Sequence, residues 1–240
     1  MTMKILLLSD IHANYPALKA VGEQFPPESF DIICNCGDSL VYGPFPNETI
    51  QWLEKYHVYS ILGNTDRKVK KLLKGKSFKK PGKAEKRIMY TWTAEQLTDR
   101  SKKFLLAQKK TCKLSIKPIP LYLFHGSPDH PNEFLFPDTD ITRFQELARS
   151  FPNSIIITGH SHSPYYKQVA STHFINPGSV GRMFDSNPAA SFAILSLKKQ
   201  SVNVTHFRID YQIEDTTDGI AAAGLPEIYQ LMYKSGQKLN

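Results

Sequence analysis

Lys4-Ile5-Leu6-Leu7-Leu8-Ser9-Asp10-Ile11-His12 is an apolar run that ends on two metal-type donors. Lys4 to Ser9 reads as a buried parallel strand, apolar on both faces. Asp10 and His12 stand two residues apart at its end, so both side chains can face one way. The same construction recurs along the chain. Gly37-Asp38 follows the apolar run Asp31–Cys36, and Gly63-Asn64-Thr65-Asp66 follows Val58–Leu62. His125-Gly126 follows Leu121–Phe124, and Gly159-His160-Ser161-His162 follows Ser154–Thr158. A sixth motif is Asn176-Pro177-Gly178-Ser179. In open α/β sheets ligands gather beyond the carboxyl ends of the strands. Oxygen and imidazole donors converging there from five strands would build a cage for divalent cations.

Between these strands lie helical patterns. Leu18, Val21 and Phe25 space one over Pro16–Phe25, and Ile50 and Leu53 space a second over Asn47–Lys55. The alternation predicts parallel strands with right-handed crossovers, hence an α/β fold. After Asp66 the pattern changes. Residues 67–83 read as a helix fragment and then a loop, and 84–97 and 99–108 as helices. A helix is expected over Thr142–Arg149. Short strands over 165–169, 173–176, 192–197 and 202–208 favour antiparallel pairing into a second sheet. Residues 210–240 read as a linker and an outer helix over Pro226–Tyr233. The expected organisation is one domain, 1–240, with a small basic helical insertion at 67–113.

At 240 residues, 41% hydrophobic and 22% charged, the chain has an ordinary globular composition. Its apolar runs are too short to span a bilayer, and the amino-terminal stretch carries no apolar leader. The three cysteines, Cys34, Cys36 and Cys112, are too few and odd in number for a disulfide framework, so the expected setting is the cytoplasm. Cys34 and Cys36 read as core residues on one strand face. The net charge of +8 is unevenly spread. From Arg67 to Lys113 there are 17 Lys and Arg against the three acids Glu85, Glu95 and Asp99. Two readings of that segment stand side by side, a nucleic-acid contact and a solvated helical face.

The donors define the chemistry. Gly37 lets the backbone turn and aim the Asp38 carboxylate, which can bridge two cations. Mixed His, Asp and Asn ligation without thiolates suits Mn, Fe or Zn. Paired ions clamp a phosphoryl group and generate the attacking hydroxide between them.

In this order the motifs resemble the calcineurin-like metallophosphoesterases. The flanks Asp10-Ile11-His12-Ala13-Asn14, Tyr42-Gly43-Pro44-Phe45-Pro46, His125-Gly126-Ser127-Pro128 and Asn176-Pro177-Gly178-Ser179-Val180-Gly181 are similar to the YfcE-like predicted phosphodiesterases. The resemblance implies a four-layer α/β/β/α sandwich of two mixed sheets. It also implies two metals, one held by Asp10, His12, Asp38 and His162, the other by Asp38, Asn64, His125 and His160. Many members carry a His after the Asn that protonates the leaving group. Here Thr65 stands in its place, which favours diesters or activated esters over alkyl monoesters. Asp66 is the candidate replacement acid, and Ser179 and Arg182 are candidate substrate contacts. The expected activity is hydrolysis of a phosphoester or nucleotide, most of all a phosphodiester. A phosphomonoesterase or nucleotide/RNA-end phosphatase is the alternative, and a catalytically weak scaffold on the same fold the alternative from another class. No membrane partner is expected, and the oligomeric state is left open.

Overall fold

The computed structural model describes residues 2–117, 119–199 and 201–240. The opening run is β1 (Met3–Leu8), whose residues Ile5 to Leu8 are fully buried. It pairs in parallel with β2 (Ile32–Asn35), which pairs in parallel with the short β3 (Tyr59–Ser60). The crossovers are α1 (Tyr15–Gln24) and α2 (Pro46–Lys55). The second sheet carries β4 (Cys112–Leu114), β5 (Leu121–Leu123), β6 (Ile155–Ile157), β7 (Tyr165–Val169) and β8 (Thr172–Asn176). Its centre, β5-β6-β8, is parallel, with β4 and β7 antiparallel at the edges.

The hairpin of β9 (Ala190–Lys198) and β10 (Ser201–Ile209) departs from the sequence reading. It joins the first sheet rather than the second, in the order β10-β9-β1-β2-β3. The reason is burial. Six of the nine β9 residues are buried, and a place beside the buried Ile5–Leu8 of β1 covers both faces.

Three apolar layers follow. Ile5, Leu7, Cys34 and Cys36 meet Leu121, Leu123, Ile155 and Ile157 between the sheets, which confirms the two cysteines as core residues. Leu6, Leu8 and Ile33 face α1 and α2 on the outer side of the first sheet. Ile156 and Phe174 face α6 (Ile141–Ser150) outside the second. The result is the expected α/β/β/α sandwich of mixed sheets.

Further helices gather at one end: α3 (Asn64–Leu73), α4 (Ala84–Gln96), α5 (Asp99–Ala107), α7 (Ile213–Ala222) and α8 (Ile228–Ser235). They share a cluster built on Val69, Met89, Tyr90, Ile220, Tyr229 and Met232. Two sequence expectations are corrected here. The segment after Gly63 is helical from Asn64 onward, because Asp66 caps its first turn. Residues 213–222 are a helix, not a linker, and α8 packs from outside through the buried Tyr229, Met232 and Tyr233, with Leu231 exposed. Among the described residues no helix is long and apolar enough to cross a membrane.

Candidate metal centre and its cavity

The donors lie just past the carboxyl ends of β1, β2, β5 and β6, and at the start of α3. Loops that follow parallel strands must turn sharply there, and they turn through left-handed backbone. Asp10, His12, Asp38, His160 and His162 have φ of 52°, 54°, 52°, 66° and 56°. Each such residue costs on the order of 1–3 kcal/mol and persists only where the surroundings impose it. Here the backbone N–H groups of Asp10 and His12 donate to the carbonyls of Gly37 and Asp38, locking the first two loops together. Gly63 is obligatory, since a Cβ there would stand 2.0 Å from Asp38 Oδ1.

Two groups of donors result, Asp10–His12–His162 and Asp38–His125–His160, each with its candidate ligand atoms within 4.8 Å of one another. In the first, His162 Nε2 is 3.3 Å from both His12 Nε2 and Asp10 Oδ1, and His12 Nε2 is 3.9 Å from Asp10 Oδ1. In the second, His125 Nε2 is 3.5 Å from Asp38 Oδ1 and 3.1 Å from Asn64 Oδ1. Donors about 2.0–2.2 Å from one cation lie roughly 3–3.6 Å from each other. Asp10 Oδ1 is buried without a hydrogen-bond partner, and two imidazole nitrogens face each other across the first group. An unpartnered carboxylate oxygen beside opposed imidazole nitrogens is a donor set that fits a cation.

Three of the imidazoles are anchored through their other ring nitrogen, whereas His12 Nδ1 is buried without a partner. His125 Nδ1 donates to Cys36 O at 2.8 Å, His162 Nδ1 to Arg182 O, and His160 Nε2 to Asn132 O at 3.2 Å. These bonds set the tautomers and leave His125 and His162 Nε2 and His160 Nδ1 for a ligand. Phe134 stacks on His160 at 4.0 Å between centroids, and Phe184 on His162 at 4.5 Å. Ser9 Oγ and the His160 N–H hold Asp10 Oδ2, and the Thr65 N–H holds Asp38 Oδ1.

Burial raises Asp10, but the neighbouring His162 pulls its carboxyl down to about 2. Burial likewise opposes the ionised Asp38, but His125, His12 and His160 hold it well below the usual carboxylate range. Burial lowers His12 to about 3 and His160 to about 4, so both are neutral donors at neutral pH. Burial would lower His125 too, but Asp38 and Asp10 raise it to about 9.

The groups open on a cavity of about 480 Å³. His12, Asp38, Asn64, Thr65, His160, His162 and Arg182 line it, so the structure brings these expected site residues together. The Arg182 guanidinium is buried, 4.1 Å from the Tyr42 ring centroid, with no carboxylate within salt-bridge distance among the described residues.

Two expectations are corrected. Asp66 does not line the cavity. Its carboxylate accepts from the N–H groups of Ser39, Leu40 and Gly63, which makes it a cap and not an acid facing substrate. Burial, with the nearby Asp38, pushes it up to about 7. Ser179 is fully buried, donates to Asp10 O and accepts from the Arg182 N–H, so it positions a loop rather than touching substrate. Thr65 does line the cavity, but its hydroxyl is spent on Leu40 O at 2.9 Å.

Sequence reasoning missed Lys86, Phe134, Phe136, Phe184, Lys238 and Asn240 in the cavity wall. For two of them a signal existed. The loop Asn132-Glu133-Phe134-Leu135-Phe136 places two aromatics at 47% and 39% exposure directly after a donor motif.

The family model described as calcineurin-like phosphoesterase superfamily domain matches residues 3–200. An uncharacterized protein of Methanocaldococcus jannaschii is 29% identical over 242 residues, covering 93% of this chain and 94% of its own length. Phosphodiesterase YfcE of Escherichia coli is 24% identical over 217 residues, covering 83% of this chain and 95% of its own. The crystal structure of a metallophosphoesterase from Sphaerobacter thermophilus superimposes with a TM-score of 0.80 at 27% identity, covering 98% of this chain and 99% of that one.

Proposed function

This chain belongs to the calcineurin-like phosphoesterase superfamily and is a phosphoester hydrolase, and from that premise we propose that it is a cytoplasmic, two-metal phosphodiesterase. Asp10, His12, Asp38 and His162 would hold one cation, and Asp38, Asn64, His125 and His160 the other, with Mn, Fe or Zn the ions that suit the donors. When bound, the cations supply neutralisation of the phosphoryl oxygens and a lowered pKa for the attacking water.

The chain's own residues do the rest. Asp38 and Asn64 stand where the phosphoryl group enters. Arg182, held flat against Tyr42, offers its guanidinium to a non-bridging oxygen. His12 and His160 stay unprotonated, so each keeps a ring lone pair for a cation. Thr65 stands where the resemblance puts a leaving-group acid, and its hydroxyl is committed to Leu40 O. That favours leaving groups stable as anions, and so diesters and activated esters over alkyl monoesters.

The observation that carries this reading is the partnerless buried Asp10 Oδ1 beside two opposed imidazoles. Hydrolysis of bis-p-nitrophenyl phosphate by the purified protein with added Mn²⁺ tests it. Turnover that needs the metal, exceeds p-nitrophenyl phosphate turnover and vanishes in Asp38→Asn is expected. Equal monoester turnover would favour the phosphatase alternative, and no bound metal with no turnover would leave a scaffold.

A further inference from the structure

A second concavity of about 810 Å³ opens on the same asparagine, Asn64, and on Asn132, whose carbonyl holds His160. Eight of its twelve lining residues are Lys or Arg, and none is acidic. Arg67, Lys70, Lys71 and Lys74 repeat at spacings of three and four, so they share one face of α3. Lys109 and Lys110 stand across from them. None of these six has a carboxylate within salt-bridge distance among the described residues. α3 begins at Asn64, so the cationic row starts at the metal centre and runs about 15 Å away from it by Lys74, at 1.5 Å per residue.

Beside the centre, Phe134 and Phe136 stack on each other at 5.8 Å and 14°, both substantially exposed, with Phe134 also stacked on His160 at 4.0 Å. A row of unpaired cations suits a phosphate backbone, and an exposed aromatic pair suits unstacked bases. An acidic protein would use the first and leave the second idle. A duplex would use the first, but its paired and stacked bases could not lie on the second.

We propose that this groove binds single-stranded nucleic acid and leads its backbone to the metal centre, with bases on the Phe134–Phe136 pair. Binding stands on the groove alone, whereas cleavage of the bound strand rests on the phosphodiesterase reading. In that cleavage one P–O ester bond breaks. The oxygen of water joins phosphorus; one of its protons reaches the departing sugar oxygen through solvent, and the other stays on the new phosphate or passes to solvent.

Fluorescence anisotropy with chelator-treated protein and labelled single-stranded RNA and DNA oligonucleotides tests binding without any need for activity. Affinity should fall with salt by a log–log slope of about −0.7 for each phosphate contacted. The double variant Lys71→Glu/Lys74→Glu should lose at least about tenfold in affinity and flatten that slope, with an unchanged melting temperature showing that it folds. Phe136→Ala should weaken oligonucleotide binding and spare inorganic polyphosphate. Absence of binding at low salt, a double variant that binds as tightly, or polyphosphate binding as well as oligonucleotide with no effect of Phe136→Ala would overturn the proposal. Bis-p-nitrophenyl phosphate turnover is scored separately, so binding without turnover removes the chemistry and keeps the groove, and turnover without binding does the reverse.

Discussion

Gly63 has no side chain, and Asp38 depends on that. The missing Cβ leaves room for Asp38 Oδ1 and the Asp38 N–H, either of which it would otherwise overlap. Gly63→Ala should therefore displace the carboxylate, abolish metal-dependent turnover and cost about 1–3 kcal/mol of stability, read as a lower urea midpoint. Thr65 makes the converse case. Its backbone N–H is used to hold Asp38 and its hydroxyl to hold Leu40, and neither reaches a leaving group. Thr65→His would place an imidazole on the cavity wall. Turnover of alkyl esters should rise, toward about 10²-fold, with a smaller gain on p-nitrophenyl esters and a new alkaline limb in the pH–rate profile. An unchanged profile would refute this account of the leaving-group side. Residue types and spacing were enough to read the donors in the sequence. They were not enough for Asp66 and Ser179, whose neighbours in space, Ser39 and Leu40 or Asp10 and Arg182, are set by loop conformation.

At the scale of elements, the loop after β5 reaches the site only because α6 holds it. Arg143 pairs with Glu133 at 2.8 Å and with Asp129 at 3.0 Å, and so ties the segment carrying Asn132 and Phe134 to the helix. The hydrogen bond from Arg143 lowers the Glu133 pKa below its usual value. A carboxyl whose folded pKa is depressed adds stability above its unfolded pKa of about 4.3 and loses it as pH falls through the folded value. Arg143→Met should thus cost roughly 1 kcal/mol at pH 7, and the difference from the unaltered protein should close below about pH 4 in paired urea titrations. The helices over 84–97 and 99–108 were legible from apolar spacing and match α4 and α5 closely. Helix α7 was not, because its buried face is Thr216, Thr217 and Ile220, and Thr216 is buried through a hydrogen bond to Asn14 rather than by hydrophobicity.

For the whole molecule, two sheets were legible because buried parallel strands and short strands with close turns carry different patterns, and the four-layer sandwich was legible through the resemblance of the motifs. The sheet that β9 and β10 join was not, since periodicity describes a strand's faces and says nothing of its neighbour. If cations occupy the two donor groups, removing them should be felt globally. A ligand at about 100 times its Kd stabilises by roughly 2.7 kcal/mol. For a chain of this size that is about 5–10 °C in melting temperature, lost on chelation, restored by Mn²⁺ and absent in Asp38→Asn.

Asp10, His12 and Asp38 follow strands of one sheet, with Asn64 opening the helix after its edge strand, and His125, His160 and His162 follow strands of the other. Ions gripped by both would rivet the two halves of the sandwich along a single edge and leave the opposite edge free to breathe. Amide protons near the carboxyl ends of β1, β2, β5 and β6 should then exchange with deuterium more slowly in Mn²⁺ than in chelator, while those at the amino ends keep one rate in both.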